Sequence, residues 1–249
     1  MMKALKLFGL CAILVLAPVL AWAAPGDGIA GSDHDFSASS GGVGLCTFCH
    51  TPHRALSTQL LWNHTLSTAT YSWDVPSTTA GTTYPSFTGD TYTGPTAKCL
   101  SCHDGSVAVG DIAWWNGGAP GAPLDNEKHV WPDKHNVGAT GGVLGSMKGN
   151  HPVAMPYPYQ NVANTYNAVT TGGGAVLTEW QANPTTLNIR LFNDDGLGVI
   201  SAGPVALKTG IECSSCHDPH NKASTGDYFL RGTLEGTSTA YICLKCHVK

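Results

Sequence analysis

The chemistry in this sequence is concentrated in four pentapeptides: C-T-F-C-H at 46–50, C-L-S-C-H at 99–103, C-S-S-C-H at 213–217 and C-L-K-C-H at 243–247. Each places two thiols three residues apart and an imidazole directly after the second. Thiols at that spacing can add across the two vinyl groups of one haem, and the adjacent histidine is then held under the iron as its proximal ligand. Disulfides would use the cysteines but give no reason for a histidine after every second one. Zinc ribbons would use the C-x-x-C pairs with the same difficulty. The spacing therefore points to four covalently bound c-type haems. Their attachment residues are Cys46 and Cys49, Cys99 and Cys102, Cys213 and Cys216, and Cys243 and Cys246, with His50, His103, His217 and His247 as proximal ligands. The ninth cysteine, Cys11, lies in the apolar N-terminal stretch, so none is left for a structural disulfide.

Seven of the eleven histidines remain: His34, His53, His64, His129, His135, His151 and His220. Beyond the N-terminal stretch only Met147 and Met155 could compete with them. The economical reading is bis-histidine ligation at all four irons, which favours low reduction potentials compared with Met/His ligation. His129 and His135, in E-K-H-V-W-P-D-K-H-N, sit amid charges and read as solvated. His34 in G-S-D-H-D-F-S, His64 in L-W-N-H-T-L, His151 in G-N-H-P-V, His53 and His220 are then five candidates for four positions, and one is expected not to ligate. His53 and His220 each follow a proximal histidine by three residues, in C-H-T-P-H and C-H-D-P-H. A side chain tied to so short a peptide cannot swing to the far face of its own haem, so each is expected to serve a different haem packed close by. The segment carrying His34 is long enough to fold back over a haem or to reach a neighbouring molecule.

The elements that must position these groups are sparse. Gly, Pro, Ser and Thr are abundant, charged residues make up 12%, and long helical apolar periodicities are scarce. Such a chain has difficulty building a core from its own side chains. The expected fold is mostly irregular coil with short helices around the C-x-x-C-H sites and a minor β-hairpin, packed around the four haems. Thr186–Phe192 and Leu197–Ala202 flank the turn signal N-D-D-G and read as the hairpin.

The haem motifs form an internal repeat, C-x-x-C-H-x-P-H followed by C-L-x-C-H. It divides the chain into a dihaem module at 24–115, a haem-less insert at 116–205 and a second dihaem module at 206–249, expected to form one haem-cored unit. Residues 1–23 carry a basic head, a short apolar core and Ala21-Trp22-Ala23, the pattern of a secretory signal peptide. Removing it takes Lys3 and Lys6 from thirteen basic residues and leaves eleven against seventeen acidic, a charge of −6. No basic stripe is present to neutralise phosphates, which argues against nucleic acid. The mature chain has no further run long enough to span a membrane.

The motifs G-S-D-H-D-F-S, C-T-F-C-H-T-P-H, L-W-N-H, C-L-S-C-H-D-G-S-V-A, N-H-P-V, C-S-S-C-H-D-P-H and C-L-K-C-H together resemble the tetrahaem cytochromes of metal-reducing bacteria. The likeness is greatest to the OmcE type, which polymerises into extracellular filaments. The resemblance implies a secreted homopolymer whose haems form one continuous chain, in which a histidine of one subunit completes a haem of the next. His53 is the candidate for that role, with His34 the alternative. It also implies redox partner proteins or extracellular acceptors such as metal oxides. The expected function is electron transfer without substrate turnover; the alternatives are a monomeric periplasmic electron shuttle and a multihaem reductase. A reductase needs an iron with an open face, often marked by an unusual proximal residue, whereas all four motifs end in histidine.

Overall fold

The structure is a computed structural model that describes residues 23–37, 44–52, 55, 59–72, 78–79, 82–83, 92–107, 137, 143–162, 177–194, 198–205 and 207–248. The signal-peptide reading, His53, His129 and His135 fall outside these residues.

Regular structure is short and clusters around the cysteine motifs. Helix α1 (Pro95–His103) contains the whole second pentapeptide. Pro95 starts it because a first-turn residue needs no N–H donor, and Gly105, at φ +72°, follows the C-cap Asp104 in the left-handed conformation that ends helices. Helix α2 is a single turn, Cys213–Cys216, and a 3-10 turn over Ile242–Lys245 holds the first three residues of the fourth motif, with Cys246 as its C-cap. Strands β1 (Thr78–Thr79) and β2 (Thr82–Thr83) form a small antiparallel pair.

A second sheet comprises β3 (Met155–Pro156), β4 (Phe192–Asp194), β5 (Ile200–Ala202) and β6 (Thr209–Ile211), in the antiparallel order β3-β6-β4-β5. The β4–β5 hairpin has the register Phe192↔Ala202, Asn193↔Ser201 and Asp194↔Ile200. Its first strand is shorter than the sequence pattern indicates, and Thr186 and Leu187 correct the expectation. They lie in a 3-10 turn, Pro184–Leu187, whose start is capped by the Asn183 side chain accepting from the Thr185 N–H. Asn188, at φ 70°, then turns the chain out of the helix. Local side-chain capping and the proline override the strand pattern until Phe192.

Phe192, the first residue of β4, and Leu191, just before it, pack into two different apolar clusters. Phe192 packs with Tyr92, Ala97, Leu100, Met147, Ala154 and Ile200, which joins α1 to the sheet. Leu191 packs with Tyr157, Ile189 and Ile211, against which Trp180, Ile242 and Cys246 of the fourth-motif region are partly buried. The insert thus buttresses two of the cysteine motifs. At the other end, residues 24–36 lie against the segment after the third motif. Asn221 holds them: it accepts from the Gly26 N–H and donates to the carbonyls of Ala24 and Gly28. Among the described residues no helix is long and apolar enough to cross a membrane.

Candidate haem-binding site

Each pentapeptide closes into a turn of helix. The proximal histidine N–H donates to the carbonyl of the first cysteine at 2.8 Å for His50 and Cys46, 3.0 Å for His217 and Cys213, and 2.9 Å for His247 and Cys243. The second motif occupies the last turns of α1. On a helical turn, positions i, i+3 and i+4 share one face, so the two thiols and the imidazole of each motif are presented together. That is the arrangement one haem edge and one iron require.

Cys46 and Cys243 are exposed, while the other six cysteines are partly enclosed. Burial pushes Cys49, Cys102 and Cys246 up to about 12 and Cys216 up to about 11. They also neighbour one another across motifs. The thiols of Cys99 and Cys213 hydrogen-bond, which raises Cys99 and holds Cys213 down. Cys102 feels the charge of Cys49, Cys216 that of Cys243, and Cys246 that of Cys216. The attachment points therefore adjoin in the order first, second, third, fourth.

The histidines come together in pairs drawn from distant parts of the chain. His220 faces His50 with ring centroids 6.1 Å apart, His34 faces His103 at 6.1 Å, and His151 faces His247 at 6.4 Å. A metal–imidazole nitrogen bond is about 2 Å long. With ~1.1 Å more to each ring centroid, two imidazoles on opposite sides of one iron lie ~6.2 Å apart. All three pairs have that spacing. Each supplies two donors, as a haem iron takes axially, and not the four of a structural zinc site; among the described residues no three acidic, cysteine or histidine side chains converge as a metal cage.

One ring nitrogen is fixed in three of these histidines and in His217. The Nδ1 of His50 donates to the Leu60 carbonyl at 2.6 Å, of His217 to Tyr228 at 2.8 Å, of His34 to Pro219 at 3.0 Å and of His151 to Pro152 at 2.8 Å. A carbonyl can only accept, so Nδ1 carries the proton and Nε2 keeps the lone pair for a metal. Burial also holds the imidazoles of His34, His50 and His217 below their ordinary value, in the neutral form that ligates. The residues present therefore fit a bis-histidine haem.

Among the described residues, two histidines stand apart from the three pairs. His217 has no histidine ring at that distance among the described residues. His64 is completely buried, with its ring edge-on to Phe48 at 5.0 Å and 5.5 Å from Trp62. The neighbouring Asn63 anchors this segment to the first motif, its N–H donating to the Cys49 carbonyl and its amide to Thr47.

Three supporting groups carry no sequence signal that picks them out. Asp104, fully buried after the second motif, accepts from Ser67, from Tyr71 at 2.5 Å and from the Ser106 hydroxyl at 2.7 Å. Glu212 lies buried between α1 and α2, and Asn221 clasps the N-terminal segment. The aspartate after C-x-x-C-H at 104 and again at 218 is a legible repeat, but its burial is not.

Residues 204–249 match the family model described as the doubled CXXCH motif. The match supports a multihaem c-type cytochrome. Its CXXCH motifs imply covalently attached haem c, and electron transfer is the function such a cytochrome supports. The matched segment holds the third and fourth motifs, His220 and the Glu212 and Asn221 supports. No curated protein matches the chain.

Proposed function

We propose that this protein conducts electrons outside the cell through four bis-histidine c-type haems, as the repeating subunit of a cytochrome filament. The observation that carries the ligation is the set of three histidine pairs at axial spacing. In this reading His34 completes the second-motif haem, His220 the first and His151 the fourth. His53 of an adjacent subunit completes the third, opposite His217, so that electrons pass between subunits along one continuous row. His64 is the candidate that packs rather than ligates.

Each haem supplies a reversible one-electron couple. The chain's own residues hold it. The paired thiols fix its edge, carbonyls such as Leu60 and Tyr228 orient the imidazoles, and the buried clusters around Leu100 and Tyr157 exclude water. Adjacent attachment points bring successive haems near enough for direct hopping. The protein is exported by its N-terminal segment and delivers electrons to partner proteins or to extracellular acceptors such as metal oxides, without turning over a substrate.

Electron microscopy and size-exclusion chromatography of the secreted holoprotein test this. Filaments with four haems per subunit are the expected result. A strictly monomeric tetrahaem protein at high concentration would instead identify a soluble shuttle.

A further inference from the structure

The junction between the second and third motifs contains a carboxylate that haem attachment does not require. Glu212 is 3% exposed and immediately precedes Cys213. One of its oxygens accepts from the Tyr92 hydroxyl at 2.5 Å, from the Thr96 hydroxyl at 2.5 Å and from the Thr96 N–H at 3.3 Å. The Thr96 hydroxyl oxygen also accepts from the Cys213 N–H at 3.2 Å. The Glu212 N–H donates to the Ser215 hydroxyl at 2.9 Å within α2. One carboxylate therefore ties the segment entering α1 to the turn carrying the third motif, at the place where the Cys99 and Cys213 sulfurs meet.

The group also acts electrically on its surroundings. Burial and then the Glu212 charge push Tyr92 well above its ordinary range, and Cys99 is raised in part by the same charge. Lys98, also buried, donates to the Thr93 carbonyl at 2.8 Å, and the Glu212 charge works against the burial that lowers it. Gly94 leaves room for this packing, because a Cβ there would collide with the Tyr92 ring. A charge shielded from water acts over a longer range than one at the surface. A fixed negative charge stabilises the oxidised form of a nearby haem and lowers its potential.

From this geometry we infer that Glu212 is a positioning and potential-setting residue for the haems of the second and third motifs, holding their attachment sulfurs together and lowering both potentials relative to the outer two haems. This rests on the haem reading above. Gln at 212 keeps the shape and the acceptor oxygen but removes the charge. Phe at 92 keeps the ring and the charge but removes one donor, leaving the carboxylate less shielded. The test is a spectroelectrochemical titration of purified holoprotein for wild type, Glu212→Gln and Tyr92→Phe, with haem content measured by intact mass. The expected result is two of four components moving to more positive potential in Glu212→Gln, and two moving to more negative potential in Tyr92→Phe. A purely structural role would move both variants the same way or neither, and either outcome overturns the inference. Should Glu212→Gln bind fewer than four haems, Tyr92→Phe decides alone, and unmoved potentials there overturn it. Failure of the haem reading is separate, since wild type would then lack the mass of four haems.

Discussion

Replacing Asn221 by alanine isolates what the N-terminal segment does. Asn221 is 3% exposed, and its side chain makes three hydrogen bonds to residues 24–28: from the Gly26 N–H at 3.2 Å, to the Ala24 carbonyl at 2.9 Å and to the Gly28 carbonyl at 3.2 Å. At a net value of about 1 kcal/mol each, their loss destabilises the docked segment by about 3 kcal/mol. That is roughly a hundredfold increase in the population with the segment lifted. The backbone bond from Gly28 N–H to the Asn221 carbonyl, the contact between His34 and the Pro219 carbonyl, and the stacking of Phe36 on Phe48 at 4.3 Å all survive the substitution. The segment therefore opens more often without detaching. Hydrogen exchange on the holoprotein should show amides between 24 and 37 losing protection by up to about a hundredfold, while β4 and β6 keep theirs. Because lifting the segment removes His34 from His103, cyanide should also bind one haem faster in the same proportion. Unchanged protection of this segment, or an equal loss across the sheet, would refute the reasoning.

Three further outcomes follow from the same contacts. Replacing His151 by alanine removes the ring 6.4 Å from His247; under the proposed ligation one haem becomes high-spin and added imidazole returns it to low-spin in the visible and EPR spectra. Leu191→Ala truncates a side chain that is 1% exposed between the sheet and the fourth motif; it should cost about 2–5 kcal/mol in denaturant or thermal unfolding with haem content unchanged. Tyr157→Phe removes the hydroxyl that donates to the Gln181 carbonyl at 2.6 Å and the Cys246 carbonyl at 3.3 Å. A loss of about 1 kcal/mol there lowers the unfolding midpoint by roughly 2–4 °C, as read by calorimetry.

The four CXXCH motifs were legible because they have a fixed local spacing, and a helical turn is sufficient to present their thiols and imidazole together. The β4–β5 hairpin was legible as a turn signal between alternating residues. Its extent was not, since Asn183 and Asn188 compete through local capping that alternation does not weigh. The candidate distal histidines lie between these cases. The three-residue offset of His220 already indicates a haem other than its own. That its ring faces His50, 170 residues earlier, depends on long-range packing that one sequence does not encode in any readable period. His34 was open between a fold-back and a neighbour, and the Asn221 clasp, invisible as a motif, brings it to His103. Glu212 and Asp104 were illegible for a related reason. A carboxylate in a sequence reads as solvated, and only the tertiary contacts reveal the donors that surround it.

The central claim is that each proximal histidine shares its iron with a histidine from a remote segment, three within the chain and one between chains. The most direct measurement is quantitative EPR of the oxidised holoprotein, assembled and then dissociated. The account predicts four low-spin ferric haems per chain in the assembled protein and, on dissociation, conversion of one to high-spin as His217 loses its partner. More than one high-spin haem in the dissociated chain, or any in the assembled one, would contradict it.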